Sequence, residues 1–331
     1  MRATNLAGAL LAVAAVAALL AVPAFADTYY LKLVTRILVL ALFAVSLDLL
    51  IGYTGLISLG HAAFFGVSAY TLVLASPEYD AGNLLLLLPL CLLVSAVTAA
   101  VIGALCVRTR GIYFIMVTLA FAQMLFHLFH DTSFAGGSDG AFMFVKPVLS
   151  VGGLMLLNLD DRVQLYYLAL GCLAATLVFL AVVLRAPFGQ VIQGIRVNEH
   201  RIRALGYNPY PYKLAAFTLG GTLAGLAGFL FAAIDGFVAP ELLSWHESGM
   251  VMVMVILGGM GTLWGPVLGA FAYVGLEEVF RDAGLFGALA ERYLLLMGLF
   301  VCLVALGAPR GIAGWLRRLG GLGGRREGAA P

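Results

Sequence analysis

Few side chains in this sequence have chemistry beyond filling space, and they fall in three settings. Asp48 and His61 lie within or against long apolar stretches. An ionisable group in hydrocarbon is expensive to keep, and it marks an ion or substrate path, a proton relay or a brace for irregular backbone. Asp48 is therefore read either as a path or proton group or as a carboxyl that caps and braces the backbone near Gly52. His61 is read either as a gate or substrate contact or as a ring packed on Gly-rich backbone. His127 and His130 stand three residues apart, which puts them on one helical face. A metal would need further ligands and orienting partners, the sequence offers none nearby, and no metal or other cofactor is expected. The third setting is a polar, basic island from Arg185 to Lys213 with four arginines and one lysine. It is longer than a turn between two spans requires and is expected to meet a soluble partner.

Composition says what must hold these groups. The chain is 63% hydrophobic and 11% charged, with a mean hydropathy of +1.03, whereas soluble domains carry about 25% charged residues. Stretches of roughly 20 apolar residues suit spanning helices, and they occur at 6–26, 33–51, 57–76, 83–107, 111–130, 163–185, 213–234 and 293–308. Backbone polar groups in lipid must be paired within a helix or a closed barrel, and no alternating strand pattern argues for a barrel. The expected fold is an all-α polytopic membrane protein, a bundle of about 8 to 10 transmembrane helices. Residues 1–308 form the membrane domain and 309–331 a basic tail. The run Ala24-Phe25-Ala26 also fits a cleavage site, but the apolar run before it is longer than a signal core, which favours a retained helix.

Lys and Arg concentrate at Arg108 and Arg110, in the island 186–212 and in the tail. Acids dominate 77–82, the outer loop 131–162 and 235–247. The positive-inside rule then puts the island, the tail and both termini in the cytoplasm. Parity demands that 249–280 enter and leave on one side. Its centre, Gly258-Gly259-Met-Gly261-Thr-Leu-Trp-Gly265-Pro266, breaks a helix because glycine adopts non-helical angles and proline lacks a donor. The arms 249–258 and 266–280 would be only about 15 and 22 Å long, so a re-entrant or broken hairpin is expected, or alternatively a Gly-rich packing contact. Gly52, Gly55, Ser58 and Gly60 form a similar run near the start, with Gly52, Gly55 and Gly60 mirroring Gly258, Gly261 and Gly265. An internal pseudo-repeat of this kind suits transporters whose path lies at the repeat interface.

Five ordered motifs carry a resemblance: SLDLLIGYTGLISLGHAAFFGVSAY at 46–70, GIYFIMVTLAFAQM at 111–124, GGSDG at 136–140, GIRVNEHRIRALGYNPYPYKLAAF at 194–217 and VILGGMGTLWGPVLGA at 255–270. Together they resemble the branched-chain amino acid permease family of bacterial ABC importers, in its LivM-like branch, over about 35–310. The resemblance implies a non-catalytic inner-membrane subunit paired with a second related permease. Two cytoplasmic ATPases would drive it and a periplasmic amino-acid-binding protein would load it. The sequence has no Gly-x-x-x-x-Gly-Lys-Ser/Thr phosphate loop of its own. The island then resembles an ATPase-coupling segment, with Gly194, Arg196, Asn198, Glu199, Arg203 and Gly206 as candidates. Glu199 and Gly206 stand where such permeases keep an acid and a glycine seven residues on. Importers outside the family show paired alanines after the acid, where His200 and Arg201 stand here. The path or gate would include Asp48, Gly52, Gly55, Ser58, Gly60, His61, Gly258, Gly259, Gly261, Gly265 and Pro266. Gly136, Gly137, Ser138, Asp139 and Gly140 read as a flexible outward loop that cradles an amino acid's charged groups or seats the binding protein, or as a simple turn.

Two other functions stay open at this point. A urea or short-chain amide importer uses the same permease family, with a glycine in place of Ala62. A proton-coupled secondary transporter would use Asp48 and need no ATPase. An intramembrane enzyme is disfavoured, since neither HExxH nor paired intramembrane aspartates occur.

Overall fold

The computed structural model describes residues 17–25, 27–77, 79–151, 154–307 and 311–314. Most of the expected N-terminal span and of the basic tail lies outside them. A helix over 17–25 (α1) precedes α2 (Thr28–Asp48), α3 (His61–Ala75), α4 (Leu84–Cys106) and α5 (Ile112–Asp131). Then come β1 (Ala141–Phe142), the hairpin β2 (Val148–Val151) and β3 (Leu154–Asn158), and α6 (Arg162–Arg185). The island follows as α7 (Pro187–Val197) and α8 (Glu199–Ala204), and the chain continues through α9 (Pro209–Asp235), β4 (Phe237–Val238), α10 (Trp245–Gly258), α11 (Gly265–Arg281), α12 (Ala283–Phe286) and α13 (Tyr293–Gly307).

Side-chain caps start several of these helices. Asn83 accepts from the Leu85 amide at 3.0 Å, Asp161 from Val163 at 2.9 Å and Asn208 from Tyr210 at 3.2 Å, satisfying amides that have no partner inside a helix. Pro209 fits the first turn of α9 because no donor is needed there.

Among the described residues, five helical stretches are long and apolar enough to cross a membrane: Thr28–Thr54, Leu84–Cys106, Ile112–Asp131, Arg162–Arg185 and Pro209–Asp235. The chain is thus an all-α polytopic membrane protein. Two of the five are central. The most apolar stretch of Thr28–Thr54 is 89% buried, against 28% in α4 and 22% in α5. The outer helices instead expose Leu86, Leu93, Val101, Met116, Met124, Val178 and Val182, the surface that lipid covers. Lipid is as apolar as leucine, so helices in a bilayer associate by close packing of small residues and by polar glue. Helix α9 shows both. Gly221 meets Ala99 of α4 and Phe64 of α3, and Gly228 lies against the Phe65 backbone. Ser95 Oγ donates to the Gly221 carbonyl at 2.9 Å, an interhelical bond worth about 0.6 kcal/mol on average.

Two expected spans take a different form. The stretch 57–76 is helical only from His61, because Gly60 packs against the Thr118 backbone of α5 and leaves the preceding residues irregular. The stretch 249–280 breaks at the anticipated glycines, but its first arm begins earlier, at Trp245. The arms of 14 and 17 residues are about 21 and 26 Å long. They pair antiparallel, with Gly258 against the Gly265 backbone and Gly269 against the Met254 carbonyl, so α11 returns toward the end where α10 began.

Candidate functional site

The first break develops out of α2. Its last turns widen into a π-helical segment, Leu49–Thr54, where Thr54 Oγ1 donates to the Leu49 carbonyl at 2.9 Å. Such widened turns concentrate at functional sites. Gly55 then takes a φ of +76°, a left-handed conformation that side chains with a Cβ avoid. The chain runs without regular structure to His61, held by the Leu56 amide on the Leu50 carbonyl at 2.9 Å and the Gly60 amide on Ser58 Oγ at 3.3 Å. The second break joins α10 to α11. Thr262 Oγ1 donates to the Gly259 carbonyl at 2.7 Å, Gly261 has a φ of +73°, and Pro266 lies in the first turn of α11.

The two breaks meet. Asp48, 1% exposed, accepts from the Gly261 amide at 2.8 Å through Oδ1. Gly52 lies between them, and any Cβ there would strike both Asp48 Oδ1 and the Gly261 amide. Arg196 of α7 donates through Nη1 to the Gly52 carbonyl, and its Cγ lies 3.1 Å from where a Gly55 Cβ would be. Asp48, Gly52, Gly55 and Gly261, expected along a path, are thus assembled with a residue expected to contact an ATPase. Nothing in the sequence flags that contact, which joins residues 144 apart.

Gly60, Ser58 and His61 lie on the other side of the first break. Ser58 is fully buried. His61 shares a hydrogen bond with Ser46 Oγ through Nε2 at 2.9 Å, and its ring stacks on Phe43 at 5.6 Å. The Ala62 amide donates to Ser248 Oγ at 2.8 Å, which ties the start of α3 to α10. The histidine ring is fully buried between α2 and α3. Ser46 and Ser248, buried hydroxyls in apolar helices, are part of the arrangement that the sequence reading missed. Their only signal is polarity inside apolar runs.

The island folds as two helices, α7 and α8. Asn198 adopts extended backbone (φ −158°, ψ 100°) and caps α8 by accepting from the Arg201 amide at 3.0 Å, which hinges α7 against α8. Gly206, with a φ of +89°, closes α8 as a glycine C-cap does. Gly194 leaves room for Ile202 to fold back on α7. Glu199 faces its own chain: Arg203 lies at 2.7 Å, Lys213 at 2.8 Å and Arg110 at 3.1 Å. Partial burial raises its pKa, but the Lys213 hydrogen bond and charge, with Arg110 and Arg203, outweigh burial and hold the carboxyl below its usual range. Glu199 therefore braces the α4–α5 turn, α8 and α9 together. Val197, Leu205 and Tyr207 are the exposed large apolar residues of the island, beside exposed His200, Arg201 and Arg203.

At the opposite end, Lys32 and Asp235 pair at 2.8 Å and close α2 against α9. Gly136–Gly140 takes the form of a turn, one of the two readings of this loop. Two short 3₁₀ turns lead into β1, which pairs antiparallel with β4 through Ala141↔Val238 and Phe142↔Phe237. The pentapeptide also spells Gly-x-Ser-x-Gly, but a nucleophile of that motif sits on a strand-to-helix elbow beside a histidine. Ser138 Oγ instead donates to Asp139 Oδ1 at 3.2 Å. His127 and His130 both turn Nδ1 to Asp131, at 3.3 and 2.8 Å.

Irregular backbone around a buried carboxylate, deep in a helical bundle, is tolerated where protein buries it or a translocation path runs. This architecture fits a membrane permease. The chain belongs to the family described as the branched-chain amino acid transport system permease component, whose model matches residues 29–305. It is 32% identical over 297 residues to the high-affinity branched-chain amino acid transport system permease protein LivM of Salmonella typhimurium, covering 84% of this chain and 68% of the relative. To the LivM of Escherichia coli it is 31% identical, with the same coverage. A shorter match, 37% identical over 100 residues and 29% of each chain, is to the autoinducer 2 import system permease protein LsrC of Klebsiella pneumoniae. No solved structure matches the chain.

Proposed function

We propose that this chain is a non-catalytic subunit of an ATP-driven importer in the bacterial inner membrane, and that it moves branched-chain or other hydrophobic amino acids by alternating access. The observation that carries this reading is the junction of the two glycine breaks around Asp48, reached by Arg196 from the basic island. A path at the meeting of two broken helices is the arrangement of repeat-built transporters. Gly55 and Gly261, which correspond in the proposed repeat, take φ angles of +76° and +73°, and this supports the repeat. The path or gate comprises Asp48, Gly52, Gly55, Ser58, Gly60, His61, Gly258, Gly259, Gly261, Gly265 and Pro266.

The coupling surface is the island 186–212. Val197, Leu205, Tyr207 and the neighbouring arginines face an ATPase, while Gly194, Asn198, Glu199 and Gly206 shape that surface from within. Its partners are two ATPase subunits, a second related permease and a periplasmic binding protein that docks over the outer loop 131–162. The positive-inside rule supports cytoplasmic termini, with 8 to 10 helices in residues 1–308 and a basic tail over 309–331.

The test is ATP hydrolysis and leucine uptake in liposomes holding this chain, its co-encoded permease and ATPases, with the binding protein outside. Stimulation of both by leucine-loaded binding protein supports the reading. Stimulation by urea or an amide instead would keep the machine and change the cargo, and uptake without an ATPase would sink the class. In the same liposomes a thiol reagent outside should label Tyr79→Cys, at a position 88% exposed, and spare Asn208→Cys, and the reverse pattern would invert the topology.

A further inference from the structure

The Asp48 carboxylate is only half satisfied. Oδ1 holds the Gly261 amide, while Oδ2 is buried without a hydrogen-bond partner among the described residues. A buried acceptor left unmatched carries a full desolvation penalty, so it identifies a place where a second donor would be strongly favoured. A cation, Arg196, reaches the same junction. In this conformation its guanidinium donates to the Gly52 carbonyl, four residues beyond Asp48. Its Nη1 also lies 3.3 Å from where a Cβ on Gly261 would stand. Arg196 is thus at the seam where the first break, the second break and the island touch.

We infer that Arg196 is a two-position latch that exchanges the Gly52 carbonyl for the Asp48 carboxylate when the second break withdraws. In the observed position Arg196 pins α7 to the first break, and Asp48 pins the second break through Gly261. Withdrawal of the 259–264 segment removes the Gly261 amide from Asp48 and strips a buried carboxylate of its donor. Arg196 then moves to Asp48, because a guanidinium–carboxylate bond is stronger than a bond to a neutral carbonyl. The exchange gives each state a different set of contacts, which a coupled element needs if it is to respond to an event elsewhere. It also gives α7 a direct link to the path, independent of the Glu199 brace. Arg196 is a positioning residue in this scheme, and the inference rests on the permease reading above.

The test uses the complete transporter in lipid nanodiscs, in a Cys172→Ser, Cys302→Ser background, with nitroxide labels at Gln190→Cys and Met260→Cys. The distance between them is read with and without ATP under conditions that block hydrolysis. Arg196→Gln should shift the nucleotide-free distribution toward the ATP-bound one. It should also raise ATPase activity in the absence of binding protein and lower uptake per ATP, each by at least roughly fivefold, the low end of typical allosteric coupling. Arg196→Lys, which keeps the charge and one donor, should fall between wild type and Arg196→Gln. Asp48→Asn still accepts from the Gly261 amide but removes the charge that receives Arg196, so its nucleotide-free distance should match wild type while its ATP-driven shift shrinks.

Wild-type distances and uptake per ATP in Arg196→Gln would overturn the latch. If that variant fails to assemble, the near-isosteric Asp48→Asn decides alone, and a full ATP-driven shift there overturns the exchange. Uptake by the wild-type complex without ATPases would overturn the permease reading itself, an outcome separate from either result.

Discussion

Two glycine-rich regions of this molecule share a composition and differ in what their glycines accommodate. At the end opposite the island, in what the proposed topology makes the outer turn, Gly136 and Gly140 take positive φ angles whose missing Cβ atoms clear backbone carbonyls, of Gly140 and Val238. The turn is anchored by one short strand pair. At the inner junction, Gly52 makes room for a buried carboxylate and a neighbouring amide, and Gly261 for the Gly52 backbone and an arginine head group. Glycine content alone separates these regions poorly. The chemistry occupying the vacated space distinguishes a turn from a working part.

The sharpest test of that contrast is Gly261→Val. A β-branched residue at a φ of +73° costs roughly 1–3 kcal/mol in backbone strain and would be forced onto the Gly52 carbonyl, 3.0 Å from the added Cβ. Uptake should be abolished while the complex still assembles, as read by transport assay and size-exclusion chromatography. Normal uptake would reduce the junction to a packing contact and erase the difference between the two regions.

A smaller effect is expected at Glu199, which is 17% exposed among three cations. Glu199→Lys puts a fourth positive charge there and leaves Lys213 unpaired, so uptake should fall on the order of tenfold, less than a fully buried pair would give. Because the folded-state pKa of Glu199 lies below its ordinary 4.5, its stabilising contribution is complete above that value and is lost as pH falls through the folded-state pKa. The melting-temperature difference between wild type and Glu199→Gln should therefore hold steady from neutral pH to about 5 and shrink below 4.5. A gap that widens on acidification would contradict the brace.

At the outer turn, Gly140→Ala places a Cβ against the Val238 carbonyl at a φ of +75°. The strain, roughly 1–3 kcal/mol in this glycine-only region, should loosen the β1–β4 pair and reduce stimulation by binding protein roughly fivefold. ATPase activity without binding protein should stay at the wild-type level. A loss as deep as that of Gly261→Val would make the outer turn a working part too.

Much of this organisation was legible beforehand. Apolar length located α2, α4, α5, α6 and α9 to within a few residues, because in lipid each span must satisfy its own backbone. The helix break at 258–265 followed from glycine and proline alone. The pairing of the breaks through Asp48 and Gly261, 213 residues apart, was not legible, since hydrogen bonds at that separation leave no local pattern. The inward turn of Glu199 was hidden for the same reason: Lys213 and Arg110 had already been accounted for as orientation charges. The hinge at Asn198 was readable in principle, because Asn followed by Glu is a helix-start signal, but the surrounding helix formers masked it.

Ser138→Ala should have the smallest effect. Its hydroxyl is exposed and bonded only to the adjacent Asp139 at 3.2 Å. Substitution at such a site usually changes stability by less than about 0.5 kcal/mol. If the outer turn is a scaffold, uptake, binding-protein stimulation and melting temperature should all match wild type. If the hydroxyl instead holds the amino or carboxylate group of an arriving amino acid, its removal raises the KM for loaded binding protein while ATP hydrolysis without binding protein stays unchanged. That split would move Ser138 and Asp139 from turn to site, since strain from a lost backbone contact would lower the melting temperature as well. A conserved melting temperature with a raised KM is therefore the result that would erase the line drawn here between the two glycine regions.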